Sequence, residues 1–183
     1  MDIKKGISYV AFGFLFTLIN INLTFNGATV NIVPDFLGWI LFFLAYDKLG
    51  SYMENRVYLK WGFLIMAVFK GVLWILDFTG GPELGYLGTF FSLLALFLMY
   101  MLFGALEKVS RDFDPSREQT IYMLKILNLT ASVAFVVVGL IMLITKAETL
   151  AVVELVIGLA ALVLAVYTTF VLFGLRKAVQ EEA

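Results

Sequence analysis

The chain has 183 residues, of which 62% are hydrophobic, 16% aromatic and only 15% charged, with a formal net charge of −1. Apolar runs fill nearly the whole length, which predicts one integral membrane domain over residues 1–183, all-α, with the lipid bilayer as its surroundings and no nucleic acid among its partners. Cysteine and histidine are absent, which excludes disulfides, thiol chemistry, haem ligation by histidine and the usual zinc sites; no cofactor is expected, and a metal could be held only by oxygen.

The opening M-D-I-K-K-G-I sets basic residues ahead of an apolar run without a small-residue cleavage site, predicting a retained first helix over Ile7–Phe25. Gly6, Gly13, Thr17, Asn20 and Thr24 share one face of it. The segment from Asn20 to Trp39, N-I-N-L-T-F-N-G-A-T-V-N-I-V-P-D-F-L-G-W, then reads as a polar break, with turn chemistry at Asn26-Gly27. The second helix, Val33–Leu49, contains an apolar run from Phe36 to Tyr46 that covers only ~16 Å, against a hydrocarbon core of ~30 Å. Asp35 or Asp47 must therefore sit at membrane depth. Asp35 is the better candidate, because Asn20, Asn22, Thr24, Asn26 and Asn31 can solvate it and Pro34 marks a helix start. A short hydrophobic segment interrupted by Gly and Pro is itself a pointer to a site.

The third helix, Val57–Phe78, carries Lys70 well inside its span, with Trp74 and Asp77 on the same face. An intramembrane lysine is costly enough to mark a functional candidate, and its partners are Asp35, Asp77 or Glu83. The fourth helix, Leu84–Leu106, offers Gly85, Gly88, Ser92 and Ala95. Glu107–Thr120 alternates charge and reads as a solvated linker. The fifth, Ile121–Thr145, aligns Asn128, Ser132 and Gly139; the sixth, Leu150–Leu175, aligns Glu154, Gly158, Ala161, Ala165 and Thr168. These small and polar stripes should face the bundle and the aliphatic remainder the lipid, and close helix packing accounts for the last three stripes without a ligand.

Between the six predicted spans, Lys4, Lys5, Lys48, Arg56, Lys60, Lys108, Arg111, Arg117, Lys125, Arg176 and Lys177 fall on one side, with Lys146 opposite. The positive-inside rule places both termini in the cytoplasm, so Asp35, Asp77, Glu83, Glu148 and Glu154 lie at the outer face. Pro34-Asp35-Phe36, Pro82-Glu83-Leu84 and Val153-Glu154-Leu155 open alternate helices, and Leu102-Phe103-Gly104 and Leu172-Phe173-Gly174 recur near the ends of two of them. Three repeated helical hairpins would produce these markers. So would helix dipoles and membrane topology acting alone.

The blocks N-I-N-L (Asn20–Leu23) and N-I-V-P-D-F-L-G-W-I (Asn31–Ile40) resemble a segment of small uncharacterised multi-pass membrane proteins of Gram-positive bacteria, and the resemblance covers the first hairpin. It carries no activity, and with the absence of organelle signals it implies a bacterial cell membrane. The size and helix number also look like the substrate-binding subunits of energy-coupling-factor vitamin transporters, but the first helix lacks the Ala-x-x-x-Ala docking pattern used there.

No H-E-x-x-H, G-x-S-x-G or Walker-type loop occurs, so an enzyme is not expected; an acid pair from Asp35 and Glu83 is the one catalytic arrangement the chain could build. The expected site is an outward-facing polar vestibule lined by Thr17, Asn20, Asp35, Lys70, Asp77, Glu83 and Glu154. Its acids outnumber its base, which suits a small cationic or zwitterionic solute, a proton or a sodium ion. A small transporter or membrane solute-binding subunit fits this expectation. The alternative is a non-catalytic accessory protein, an immunity, assembly or regulatory factor acting on a membrane-protein partner.

Overall fold

The computed structural model describes residues 2–18, 22–25, 28–31, 34–53, 56–79, 85–145 and 151–181. Along these run α1 (Ile3–Leu18), β1 (Asn22–Phe25), β2 (Ala28–Asn31), α2 (Asp35–Leu49), α3 (Val57–Thr79), α4 (Gly85–Phe113), a 3-10 turn (Pro115–Arg117), α5 (Glu118–Thr145) and α6 (Ala151–Glu181). Four helices are long and apolar enough to cross a membrane: stretches of 21, 27, 27 and 26 residues with mean hydropathy from 1.8 to 2.5 run along α3 to α6, the one on α5 beginning at Pro115 in the segment before it. Each exceeds the ~30 Å hydrocarbon thickness at ~1.5 Å per residue. The described parts of α1 and α2, with 16 and 15 residues, reach only ~24 and ~22 Å.

Two boundaries differ from the sequence reading. The first helix ends at Leu18, not Phe25, and the polar break contains an antiparallel two-stranded hairpin. Its register pairs Asn22 with Asn31 and Phe25 with Ala28, so two residues connect the strands. The sequence at that connection is Asn26-Gly27, the strongest short-range hairpin signal, flanked by alternating polar and apolar residues. The hairpin satisfies backbone groups that a broken helix would leave open, and β2 lies beside α3.

The second difference lies at Glu107–Thr120, which is partly or fully exposed over most of its length but is a helical corner instead of a linker. The fourth helix continues to Phe113 and stops where Pro115 removes a donor and pushes Asp114 out of helical conformation (φ −153°, ψ 76°). Charges that alternate in sequence pair across the corner: Arg111 with Glu118 at 2.6 Å, Arg117 with Asp114 at 2.6 Å and Lys125 with Glu107 at 2.9 Å. The Ser116 hydroxyl, ahead of the Arg117 guanidinium, holds the Asp114 carboxyl below the usual carboxylate range.

Successive helices pack side by side around a ring, with α6 returning to α1 and the thinnest seam between α3 and α4. Burial is uneven along the ring. In α3 it covers Leu59 to Ala67, in α4 Leu98 to Ser110, in α5 Ile121 and Leu124, and in α6 it begins at Ala165. Beyond those points the described residues of α3, α4 and α5 are partly or fully exposed. The bundle is closed at the end that holds the start of α1 and the end of α6 and splayed at the other.

An aromatic cluster seals the closed half, with the Phe14 ring 5.5 Å from Phe42 and 5.3 Å from Phe103, and Phe42 also against Trp39 and Phe63. Between α1 and α2 the backbones almost touch. A Cβ at Gly38 would lie 2.7 Å from the Gly13 carbonyl oxygen and 2.5 Å from the Thr17 methyl, and one at Gly13 would lie 2.5 Å from the Phe42 ring. These glycines let two short helices pack closely enough to seat Trp39 and Phe42 in the core.

Candidate functional site

The splayed half encloses a cavity of about 600 Å³ to which all six helices contribute. Its lining on α4, from Gly88 to Phe103, covers about 22 Å along the axis. The walls are apolar over most of this length.

At the open end stands a charged pair. Pro34, extended at φ −70° and ψ 126°, makes Asp35 the first residue of α2, where the helix dipole favours a carboxylate. Lys70 reaches it from the middle of α3, with Nζ 3.6 Å from the Asp35 carboxylate; the two side chains are 33% and 29% exposed. The Phe36 ring meets Trp74 edge-on at 5.8 Å and fastens the start of α2 to α3 one turn beyond the lysine. Asp77 is exposed and lines a smaller adjoining hollow of about 100 Å³ with Asp35, Lys70, Leu73 and Trp74. Thr17 lines the main cavity, but its hydroxyl donates to the Phe14 carbonyl at 3.1 Å.

Of the expected vestibule residues, Thr17, Asp35 and Lys70 therefore share one cavity, and Asp77 borders it. Asn20 and Glu83 lie outside the described residues, as does the side chain of Glu154, whose backbone belongs to the first turn of α6. Among the described residues no cluster of acids has the convergence needed to hold a metal ion.

The small-residue stripes have a different use from the close packing expected of them. Gly88 and Ser92 on α4, Asn128 and Ser132 on α5, and Gly158 and Ala161 on α6 all line the cavity. A Cβ at Gly88 or Gly158 would meet nothing within 4 Å, whereas one at Gly13 or Gly38 would collide. Glycines thus leave room along the cavity on α4 and α6 and permit the close contact between α1 and α2. Asn128 donates to the Leu124 carbonyl at 2.8 Å and to the Thr168 hydroxyl at 3.4 Å, joining α5 to α6.

One charged residue at the closed end of the cavity was not anticipated as part of a site. Lys125 lines the deep wall, pairs with Glu107 at 2.9 Å and places its ammonium over the rings of Tyr100 (4.9 Å) and Tyr122 (5.3 Å). Its spacing of three and seven residues from Asn128 and Ser132 extends their stripe by one turn, and that signal was present in the sequence. Glu107, the partner that holds it, comes from another helix and leaves no local pattern. Compared with known protein families, curated proteins and solved structures, the chain matches none, and the cavity itself is the basis for a functional reading.

Proposed function

We propose that this chain is a bacterial cell-membrane protein of six spans with both termini in the cytoplasm, and that its cavity opens outward to receive a small solute or ion. It acts as a small transporter or as the membrane solute-binding subunit of one. The observation that carries this reading is the cavity in the splayed half, with Asp35 and Lys70 paired at its open end and half-exposed. A charged pair at that depth is costly without a polar ligand or water to share it. Zwitterionic and cationic solutes, a proton or sodium are the candidates nearest to the charge pattern.

Uptake of a panel of labelled solutes by cells with and without the gene tests the reading. Expected is gene-dependent accumulation of at least one solute, abolished by Asp35→Asn; accumulation identical in both strains for every solute would refute it. The accessory reading has one observation of its own: α5 buries only Ile121 and Leu124 among its described residues, and the exposed apolar surface that does not line the cavity is left to lipid or a membrane partner. Gene-dependent protection or assembly without uptake would favour it.

A further inference from the structure

We infer that the closed end of the cavity is an anion-recognising subsite, and that the solute it takes is a carboxylate carried on an elongated apolar body. This rests on the solute-cavity reading above; of the candidates named there it keeps the zwitterion, through its carboxylate, and sets aside the cation and the bare ion.

The charge of the deep wall points first to an anion. Lys125 lines the cavity there, while Glu107, 2.9 Å from its ammonium, is not part of the lining. An ammonium has three N–H donors, and an acid behind it still leaves donors for an acceptor in front. The tyrosine faces at 4.9 and 5.3 Å stabilise the cation without consuming those donors. The hydroxyl of Ser132 lies on the same face of α5, two turns toward the open end. An anionic group arriving at this floor meets a cation and no lining acid; a cationic group meets like charge in a low-dielectric wall.

The walls and the shape supply the rest of the class. Between the floor and the Asp35–Lys70 pair the cavity is bounded by Phe69, Phe91, Leu96, Met99, Leu129 and Phe135. A slot of about 600 Å³ that covers about 22 Å of α4 falls in the size range of pockets for drug-sized ligands and far exceeds what a bare ion needs. The pair at the open end has one charge of each sign, so a second polar group on the solute, an ammonium included, is accommodated there.

The test uses the full chain in bilayer discs, titrated with three molecules of one shape: phenylhexanoate, phenylhexanamide and phenylhexylamine, with empty discs as the reference for partitioning. The carboxylate should bind about tenfold or more tighter than the amide and the amine. Lys125→Met together with Glu107→Gln removes the lysine without stranding the acid; this variant should lose the carboxylate preference yet keep amide binding, which also reports that the cavity is intact. Lys125→Arg should keep the preference. Amine binding equal to or tighter than carboxylate binding, or a preference that survives in the double variant, would overturn the inference. Saturable binding of all three without preference would overturn the anion subsite and leave the solute cavity standing. No saturable binding of any of them would overturn the subsite, and the uptake panel then decides the cavity reading separately.

Discussion

Substituting alanine for Gly38 adds one carbon to the tightest helix contact in the molecule, and the structure sets the size of the effect. Alanine in a helix interior is favoured over glycine by about 1 kcal/mol. Against that gain, the new Cβ would sit 2.7 Å from the Gly13 carbonyl oxygen and 2.5 Å from the Thr17 methyl. The methyl can rotate away, but the carbonyl is backbone, so α1 and α2 must separate by about half an ångström or more to restore ordinary contact. That movement loosens Phe14, Trp39 and Phe42, which share the core at this crossing. Overpacking of this kind costs about 1–3 kcal/mol, leaving a net destabilisation of up to about 2 kcal/mol, or a fall of up to about 8 °C in melting temperature. Gly104→Ala and Gly139→Ala are the matched references, since a Cβ at either position meets nothing within 4 Å. Both should melt at or slightly above the parent. Thr17→Ser removes the obstructing methyl but not the carbonyl, so it should rescue Gly38→Ala only in part. Thermal aggregation followed by size-exclusion chromatography of detergent-solubilised protein reads all four; Gly38→Ala melting with the two reference variants would refute the close-approach reasoning.

The Asp35–Lys70 pair should appear as a coupling of about 0.5–1 kcal/mol between Asp35→Asn and Lys70→Met, the modest value expected for half-exposed partners at 3.6 Å. Lys70→Met alone should be the worse variant, and strictly additive losses in the thermal double-mutant cycle would remove the pairing. Because the chain has no cysteine of its own, single cysteines at the exposed Thr79 and Ser116 report topology directly: an impermeant thiol reagent should reach the first from outside and the second only from the cytoplasmic side, and the reverse pattern would invert the orientation. At the closed end, burial first and a hydrogen bond to Asp112 second push the Tyr52 phenol above its ordinary range. The fold thus favours the neutral phenol. That contribution is complete below about pH 10 and is lost as pH rises through the raised folded value. Tyr52→Phe should flatten the alkaline fall in thermal stability, and an unchanged alkaline slope would count against it.

Local signals carried the helices well where chemistry at the boundary is unambiguous. Pro34 placed Asp35 at a helix start, and Val57 and Thr145 are element ends in both the sequence reading and the structure. The same signals failed where two of them competed. From Asn22 to Phe25 hydropathy extended the first helix, while Asn26-Gly27 pointed to a hairpin, and the turn chemistry prevails. From Glu107 to Phe113 alternating charge suggested water, whereas the charges find partners across a corner that Pro115 creates. Lys125 illustrates a different difficulty. A basic residue near the predicted cytoplasmic end of a span is what the positive-inside rule leads one to expect, and the neighbours that distinguish this one, Glu107 and Tyr100, come from another helix. Glycine is harder still to read: Gly38 and Gly158 are alike in sequence terms, and only the neighbouring helix decides which is a contact and which is a void.

The uneven burial of α3 gives the molecule leverage. From Leu59 to Ala67 the helix is clamped in the core, and from Val68 to Thr79 none of its described residues is buried. The arm beyond the clamp is about 18 Å long and is held at Lys70 and Trp74 by Asp35 and Phe36 of α2. A tilt of about 5° at the clamp would move its tip by about 1.5 Å, yet would shift Lys70, close to the fulcrum, by less than about half an ångström. The thin seam with α4 resists such a tilt least. Such a tilt would displace the exposed tip several times further than the charged pair, so two parts of one helix differ in how far they can move.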